Sequence, residues 1–489
     1  MPEEQQVEEF AQTSTKDALF GTVPVTRGER QWGFLDFSWV MTGLGIATWA
    51  FLIGGDVVYF LGLKAGIAAM VLGNAIGLFF VITSVLGNTK YGLEHFTLVR
   101  AAFGRHGVKP LIYLINFLVA VGWSGILAIM FGRAAVNVIN ALAGTEYGGD
   151  HAFVALFGVI ALILTWLVVV KGPVALKWFN RIIAPGLTIV IIVMLVFLFS
   201  ENSWSDFTSV QPLEPFGNKI VDFMMVVEFS MAGALSWWPS QGNLTRLART
   251  QRGGAWACVI GLFVVTIVAQ TVGLMAALWY GDADPTSWMI PLTGAGIGVL
   301  ILLWIAFANI TTMSVQAYQV CIAMRQEGVK YLSTMPWGLL IGIFLGLSAL
   351  LLIRPSAIYD NFFTFLYWIG VSYAPLIGIM WADYFLLRGQ KIDLYALFDH
   401  RDDSPYGYWK GWNIGAYVAF AVGFGTYLAL LNPVSLWYSA PFPYLSATVP
   451  SLAAGGILYF IIAKLWLRRA GKGGYLPRTV AEDAGAPTA

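Results

Sequence analysis

The stretch Met41–Gly55, MTGLGIATWAFLIGG, lies in the first long apolar run, where glycines at 43, 45, 54 and 55 interrupt what would otherwise be one spanning helix. Each glycine weakens a helix by about 1 kcal/mol relative to alanine. Broken backbone at membrane depth is tolerated only where it lines a cavity or coordinates something. In secondary transporters such interrupted helices offer carbonyls to a coupling ion near the midplane. A second stretch, Ile305–Gln316 (IAFANITTMSVQ), sits inside the uncharged run Gly294–Met324. Its Asn309, Thr311, Thr312, Ser314 and Gln316 are too polar to face lipid without cost. Ala308, Thr311 and Thr312 are spaced i, i+3, i+4, so a carbonyl and two hydroxyls share one helix face. Neutral oxygens of this kind suit a hard cation such as sodium. The alternative is that the hydroxyls bond back to the preceding turn and help glue helices together.

The 489 residues are 58% hydrophobic and 11% charged, with a mean hydropathy of +0.72. Soluble domains carry about 25% charged residues, so the chain is an all-α integral membrane protein. A net charge of +1 without a basic domain gives no reason to expect nucleic acid as a partner. Cys258 and Cys321 both lie in apolar runs and imply neither a disulfide framework nor a zinc site. The polar first 33 residues lack the short n-region and h-region of a cleaved signal peptide.

With about 20 apolar residues needed per span, the sequence predicts twelve transmembrane helices, from Phe34–Leu63 to Tyr444–Leu467. The third (Leu111–Leu142) and eighth (Gly294–Met324) are long enough to require tilt. Helix 6, expected over Ile220–Trp238, runs into MAGALSWWPSQG (Met231–Gly242), where Gly233, Pro239 and Gly242 punctuate it as the glycines do helix 1. Matching interruptions five helices apart mark an inverted repeat. The expected organisation is an N-terminal tail 1–33, a first five-helix repeat 34–200, an inverted second repeat 218–386, two added helices in 408–467, and a tail 468–489. Lys and Arg gather in the segments that lie inside if the N-terminus is cytoplasmic, whereas only Lys64, Lys219 and Arg354 fall in outer loops. By the positive-inside rule both termini are expected in the cytoplasm of a plasma (inner) membrane.

Tyr373–Phe398 reads YAPLIGIMWADYFLLRGQKIDLYALF, and Tyr408–Asn413 reads YWKGWN. These segments resemble the nucleobase–cation symport family, which includes cytosine, purine, allantoin and hydantoin carriers. KWFN at Lys177–Asn180, Gly122–Trp123 and NLTR at Asn243–Arg246 extend the resemblance from about Gly28 to Leu467. It implies a leucine-transporter-type five-plus-five core with broken helices 1 and 6, and a substrate stacked between aromatic rings. In sodium-coupled members the ion site falls on Gly43 and Ile46 of helix 1 and on Ala308, Thr311 and Thr312 of helix 8. The substrate positions carried over are Trp123, Ala47, Gly233 and Ala234 with Trp237 and Trp238 just beyond, and Ala317 with Gln316 beside it. Carboxamides that relatives place on helices 1, 3 and 8 are replaced here by Ala47, by Ala120 or Leu127, and by Ala317, which leaves the identity of the heterocycle open.

Glu228 in helix 6 and Arg133 in helix 3 are intramembrane charges in need of partners. They either pair along the outward pathway, or Glu228 carries the proton of a proton-coupled carrier of a purine, allantoin or heterocyclic vitamin. Asp383 and Arg388 read as structural, and His95 as a solvated loop residue. No H-E-x-x-H, G-x-S-x-G or other nucleophile motif points to a membrane enzyme, and no filter-like repeat or charged ring points to a channel. The expected function is import of a nucleobase or related planar nitrogen heterocycle by sodium symport with alternating access. No cofactor is expected, and sodium (or a proton) is the coupling ion. The partners are a small heterocycle and the lipid bilayer, with no obligate protein partner implied.

Overall fold

The computed structural model describes residues 23–399, 401 and 403–475, so most of both expected tails lies outside the described residues. Among these residues every regular element is helical. Nine helices are long and apolar enough to cross a membrane. The bent pair Phe34–Gly45 and Thr48–Tyr59 makes a tenth span, α1. The others are α2 (Leu63–Tyr91), α3 (Val108–Ala143), α4 (Ala152–Val169), α5 (Pro173–Ser200), α6 (Lys219–Thr245), α7 (Gln251–Tyr280), α8 (Pro285–Glu327), α10 (Phe362–Leu387) and α12 (Thr448–Leu467). Two shorter apolar helices, α9 (Trp337–Ile353) and α11 (Ile414–Leu430), stand where the ninth and eleventh spans are expected.

α1 bends by 52° at a single place. Ile46 (φ −118°, ψ 95°) and Ala47 (φ −145°, ψ 176°) are extended, which frees the carbonyls of the preceding turn from the helical ladder. Gly54 and Gly55, expected to help break the helix, are instead helical. Their role is close approach: a Cβ at Gly54 would stand 1.9 Å from the Gln270 carbonyl oxygen of α7. α6 is interrupted at Ser236–Trp237, without the sharp bend of α1. The glycine expected to punctuate its end, Gly242, makes room for His95, whose ring a Cβ would strike at 2.0 Å. α8 begins properly after Gly294, whose left-handed backbone (φ 76°) separates a short leading helix from the span.

Two groups of helices result. α6 packs on α2, and α7 on both arms of α1, forming one bundle. α8 packs along α3, with α4 and α9 beside α3, forming the other. α10 joins α6 to α12, and α11 packs on α12. The segment Val25–Gly33 lies across the end of the first bundle, where Trp32 donates its N–H to the Leu247 carbonyl (3.2 Å) and accepts from Arg249 (3.0 Å). Tyr475 reaches Asp383 (2.6 Å) at the same end of the molecule, here called the terminal face. Asp383 and Arg388 form a buried ion pair (2.6 Å), the structural role expected of them.

Gly54→Ala should separate α1 from α7, because backbone cannot yield as a side chain can. The expected cost is about 1–3 kcal/mol, read as a lowered thermal midpoint of the detergent-purified protein. Gly346→Ala, with open space at its Cβ, should leave that midpoint in place.

Candidate functional site

The break in α1 lies against α8. Thr311 Oγ1 is 2.9 Å from the Gly43 carbonyl and 2.7 Å from the Ala308 carbonyl, so three oxygens gather across the two helices. A hydroxyl carries one proton and satisfies one acceptor fully. Thr312 Oγ1 is buried with no hydrogen-bond partner among the described residues. An orphaned hydroxyl beside crowded carbonyls is the donor chemistry of a hard monovalent cation, so the residues present fit sodium. Asn309, from the same polar stretch, clasps the second arm of α1: its Oδ1 accepts from Thr48 N (3.2 Å), and its Nδ2 donates to Thr48 Oγ1 (2.9 Å). Asn180 was unassigned by sequence reasoning beyond its motif. Its buried Oδ1 would lie 2.1 Å from a Cβ at Gly43, which keeps that position glycine.

A layer of tryptophans lies at the level of both interruptions. Trp123 meets Trp49 (ring centroids 6.1 Å apart, 79° between planes), and Trp49 meets Trp237 (5.7 Å, 57°). Trp49 was not singled out from sequence, although it follows the α1 break by two residues. Trp238 turns away, packing on His95 (4.5 Å) and Tyr373 (5.7 Å). Ala234 is also displaced from the layer, since it packs against Gly77 of α2. Gly233 faces Ile53 of α1, and Ala47 and Ala317 are fully buried. The glycines flanking Trp123 serve packing, Gly122 against Phe365 and Gly125 against Leu351.

Between this layer and the terminal face runs a continuous polar thread. Gln316 Oε1 accepts from Gln319 Nε2 (3.2 Å), and Gln319 exchanges amide hydrogen bonds with Asn116 (3.2 Å each). Tyr373 donates to Asn116 (3.3 Å), and Asn243 bridges the Gln319 carbonyl (3.3 Å) and Glu94 (3.2 Å). Thr97 Oγ1 lies between Glu94 (3.3 Å) and Glu327 (2.7 Å), and Arg100 pairs with Glu327 (3.3 Å). Burial, reinforced by the Glu327 charge, pushes Glu94 up to about 7, which lets two carboxyls lie together by leaving one protonated near neutrality. His95, expected to be solvated, is buried, and burial pushes it down to about 3. It packs as a neutral ring. At the opposite face lies a cavity of about 630 Å³, bordered by Leu52 and Phe362 and by the charged residues Asp56, Asp284 and Arg133.

The Glu228–Arg133 pair, one of the two readings of these charges, does not form. Arg133 binds Asp284 (2.6 Å) at the rim of the cavity. Glu228 accepts from Ala447 N (2.9 Å), Thr448 N (3.1 Å) and Thr448 Oγ1 (2.5 Å), the first donors of α12. The carboxyl oxygens there satisfy amides that have no partner within the helix.

A membrane-spanning helical fold, a broken helix whose carbonyls meet side chains of two other helices, and a buried aromatic layer between a polar thread and a cavity at the opposite end are the features of a transporter, not an enzyme. Residues 24–443 match the family model described as permease for cytosine/purines, uracil, thiamine, allantoin. The chain is 23% identical over 441 residues to the hydantoin permease of Microbacterium maritypicum, covering 88% of this chain and 87% of the relative. Its fold matches Mhp1, a nucleobase-cation-symport-1 family transporter in a closed conformation with bromovinylhydantoin bound, at a TM-score of 0.75 and 18% identity over 95% of this chain and 98% of that one. It also matches a substrate-bound, outward-open Na+-coupled sialic acid symporter at a TM-score of 0.57 and 15% identity, over 90% of this chain and 92% of that one. The chain belongs to the cytosine/purine, uracil, thiamine and allantoin permease family, with the inverted-repeat transporter fold.

Glu228→Gln sets one N–H2 against the donors of α12 and should cost about 1–3 kcal/mol of stability. It should lower the thermal midpoint and leave the pH profile of uptake unaltered. An altered profile at unchanged stability would restore Glu228 to proton coupling.

Proposed function

We propose that this permease imports a nucleobase or related planar nitrogen heterocycle by sodium symport across the plasma membrane, with both termini in the cytoplasm. The observation that carries the reading is the set of oxygens across the α1–α8 contact: the Gly43 and Ala308 carbonyls and Thr311 Oγ1 together, with Thr312 Oγ1 buried and unpartnered. Gly43, Ile46, Ala308, Thr311 and Thr312 would hold the ion. Sodium there supplies positive charge to carbonyls that the bend exposes, and so ties α1 of one bundle to α8 of the other. Substrate lies in the tryptophan layer next to the break, where Trp123 and Trp237 offer aromatic surface. The hydantoin carried by a relative of similar fold supports a flat heterocycle as the ligand class.

The orientation follows from the Lys and Arg residues crowded at the terminal face. In that orientation the cavity opens outward, and the thread from Gln316 to Arg100 closes the inner side. Ion and substrate bound together stabilise this outward state, and rocking of the α1–α2–α6–α7 bundle against α3–α4–α8–α9 exposes them to the other side. The engagement of Glu228 by α12 favours sodium over a proton carried on that residue.

Uptake into proteoliposomes should saturate with substrate, show counterflow, and rise with an inward sodium gradient. Thr312→Ala should raise the sodium concentration for half-maximal uptake by about tenfold or more, the worth of a lost bond to a charged group. A wild-type sodium response in this variant, at normal expression, would remove Thr312 from the ion site.

A further inference from the structure

The ring of Trp49 is inclined by 79° to that of Trp123 and by 57° to that of Trp237. Rings so inclined do not sandwich a flat molecule between parallel faces. A ligand seated beside them would meet ring faces from more than one direction, and a cation against such faces is attracted through the ring quadrupoles. The carboxamides that read the edge of a neutral heterocycle are missing at Ala47, at Ala120 or Leu127, and at Ala317, all fully buried. The nearby Gln316, Gln319 and Asn116 are already bonded to one another.

Charge points the same way. Asp56 follows Trp49 by seven residues in the same helical arm, and so lies on the same face two turns nearer the outer cavity. Asp56 borders that cavity, is only 7% exposed, and has no hydrogen bond or ion pair among the described residues. A carboxylate so buried is costly without a counter-charge. Around it the cavity carries Glu214, Asp282, Asp284 and Asp360, and its Arg133 is taken by Asp284. Walls of one sign focus the field and concentrate ligands of the opposite sign. The indole N–H groups of Trp49 and Trp123 are buried without acceptors among the described residues, so a ligand that satisfies them carries a carbonyl or ring-nitrogen acceptor as well.

From this placement we infer that the substrate is a cationic nitrogen heterocycle, protonated or quaternary, seated against Trp49, Trp123 and Trp237 and charge-paired with Asp56. The inference rests on the heterocycle-carrier reading and narrows it. Asp56 meets the ligand's charge as it descends from the cavity, and the indole rings take over its desolvated ring. Asp56 thereby sets specificity and takes no part in the sodium site at the α1 bend.

Isothermal titration of the purified full chain in saturating sodium separates the possibilities. The probes are two cations, thiamine and 1-methylnicotinamide, and three neutral rings, nicotinamide, uracil and hydantoin. A cation should bind, with 1-methylnicotinamide at least about tenfold tighter than nicotinamide, the scale of one charge-assisted contact. Asp56→Asn, close in shape, should erase most of that difference and leave sodium affinity unchanged. Sodium-linked binding of uracil or hydantoin with no binding of either cation would overturn the inference and leave the carrier reading intact. An Asp56→Asn variant altered only in sodium affinity would also overturn it, by assigning the cavity's charge to the ion. No binding of any probe would overturn both.

Discussion

A backbone carbonyl freed in the middle of a membrane has no water to turn to, and leaving it unsatisfied costs several kcal/mol. The bend at Ile46–Ala47 frees such groups, and much of the surrounding architecture answers to them. Thr311 reaches the Gly43 carbonyl, Asn309 clasps the start of the second arm at Thr48, and Thr266 of α7 donates to the Gly45 carbonyl (3.2 Å). Two of these contacts come from α8 and the third from α7. The break is held from both bundles at once, so any motion of one bundle against the other is felt at these oxygens. A cation placed among them acts on the same hinge.

The two ends of the molecule are built from different materials. Towards the terminal face, amides and carboxyls from α3, α6, α8, α10 and the segment before α3 form a thread of bonds between 2.7 and 3.3 Å. Individually such bonds contribute about 1 kcal/mol net, so a network of them is strong enough to close a gate and weak enough to be exchanged for water. At the other end, among the described residues, no comparable network lines the cavity between Asp56 and Phe362, and the Arg133–Asp284 pair lies at its rim. That asymmetry accords with the outward-facing state of the proposed transport cycle.

Much of the fold was legible in the sequence because membrane burial writes simple rules: long apolar runs, glycines at a break, and hydroxyls at i, i+3, i+4. Gly43, Ala308 and Thr311 were named from such rules and are brought together in space. What failed to show depended on distant partners. Trp49 looks like one aromatic among many until the 52° bend turns its arm toward Trp123. Glu228 acquires its role from α12, 219 residues further on, which no local pattern could assign. Gly54, Gly55 and Gly242 read as helix breakers in the sequence, because glycine both weakens a helix and admits a close neighbour, and sequence alone does not separate the two uses. His95 illustrates the same limit: a histidine in a loop is ordinarily wet, and here Gly242 and Trp238 bury it.

In the proposed function the α1 bend and α8 share an ion whose binding is linked to that of a planar heterocycle next to it. Tryptophan fluorescence of the purified protein measures this linkage directly, since Trp49, Trp123 and Trp237 lie beside the proposed ion site. Any heterocycle that quenches it should bind more tightly in sodium than in an equal concentration of choline, and should tighten sodium binding by the same factor. Binding indifferent to sodium and governed by pH would contradict the claim.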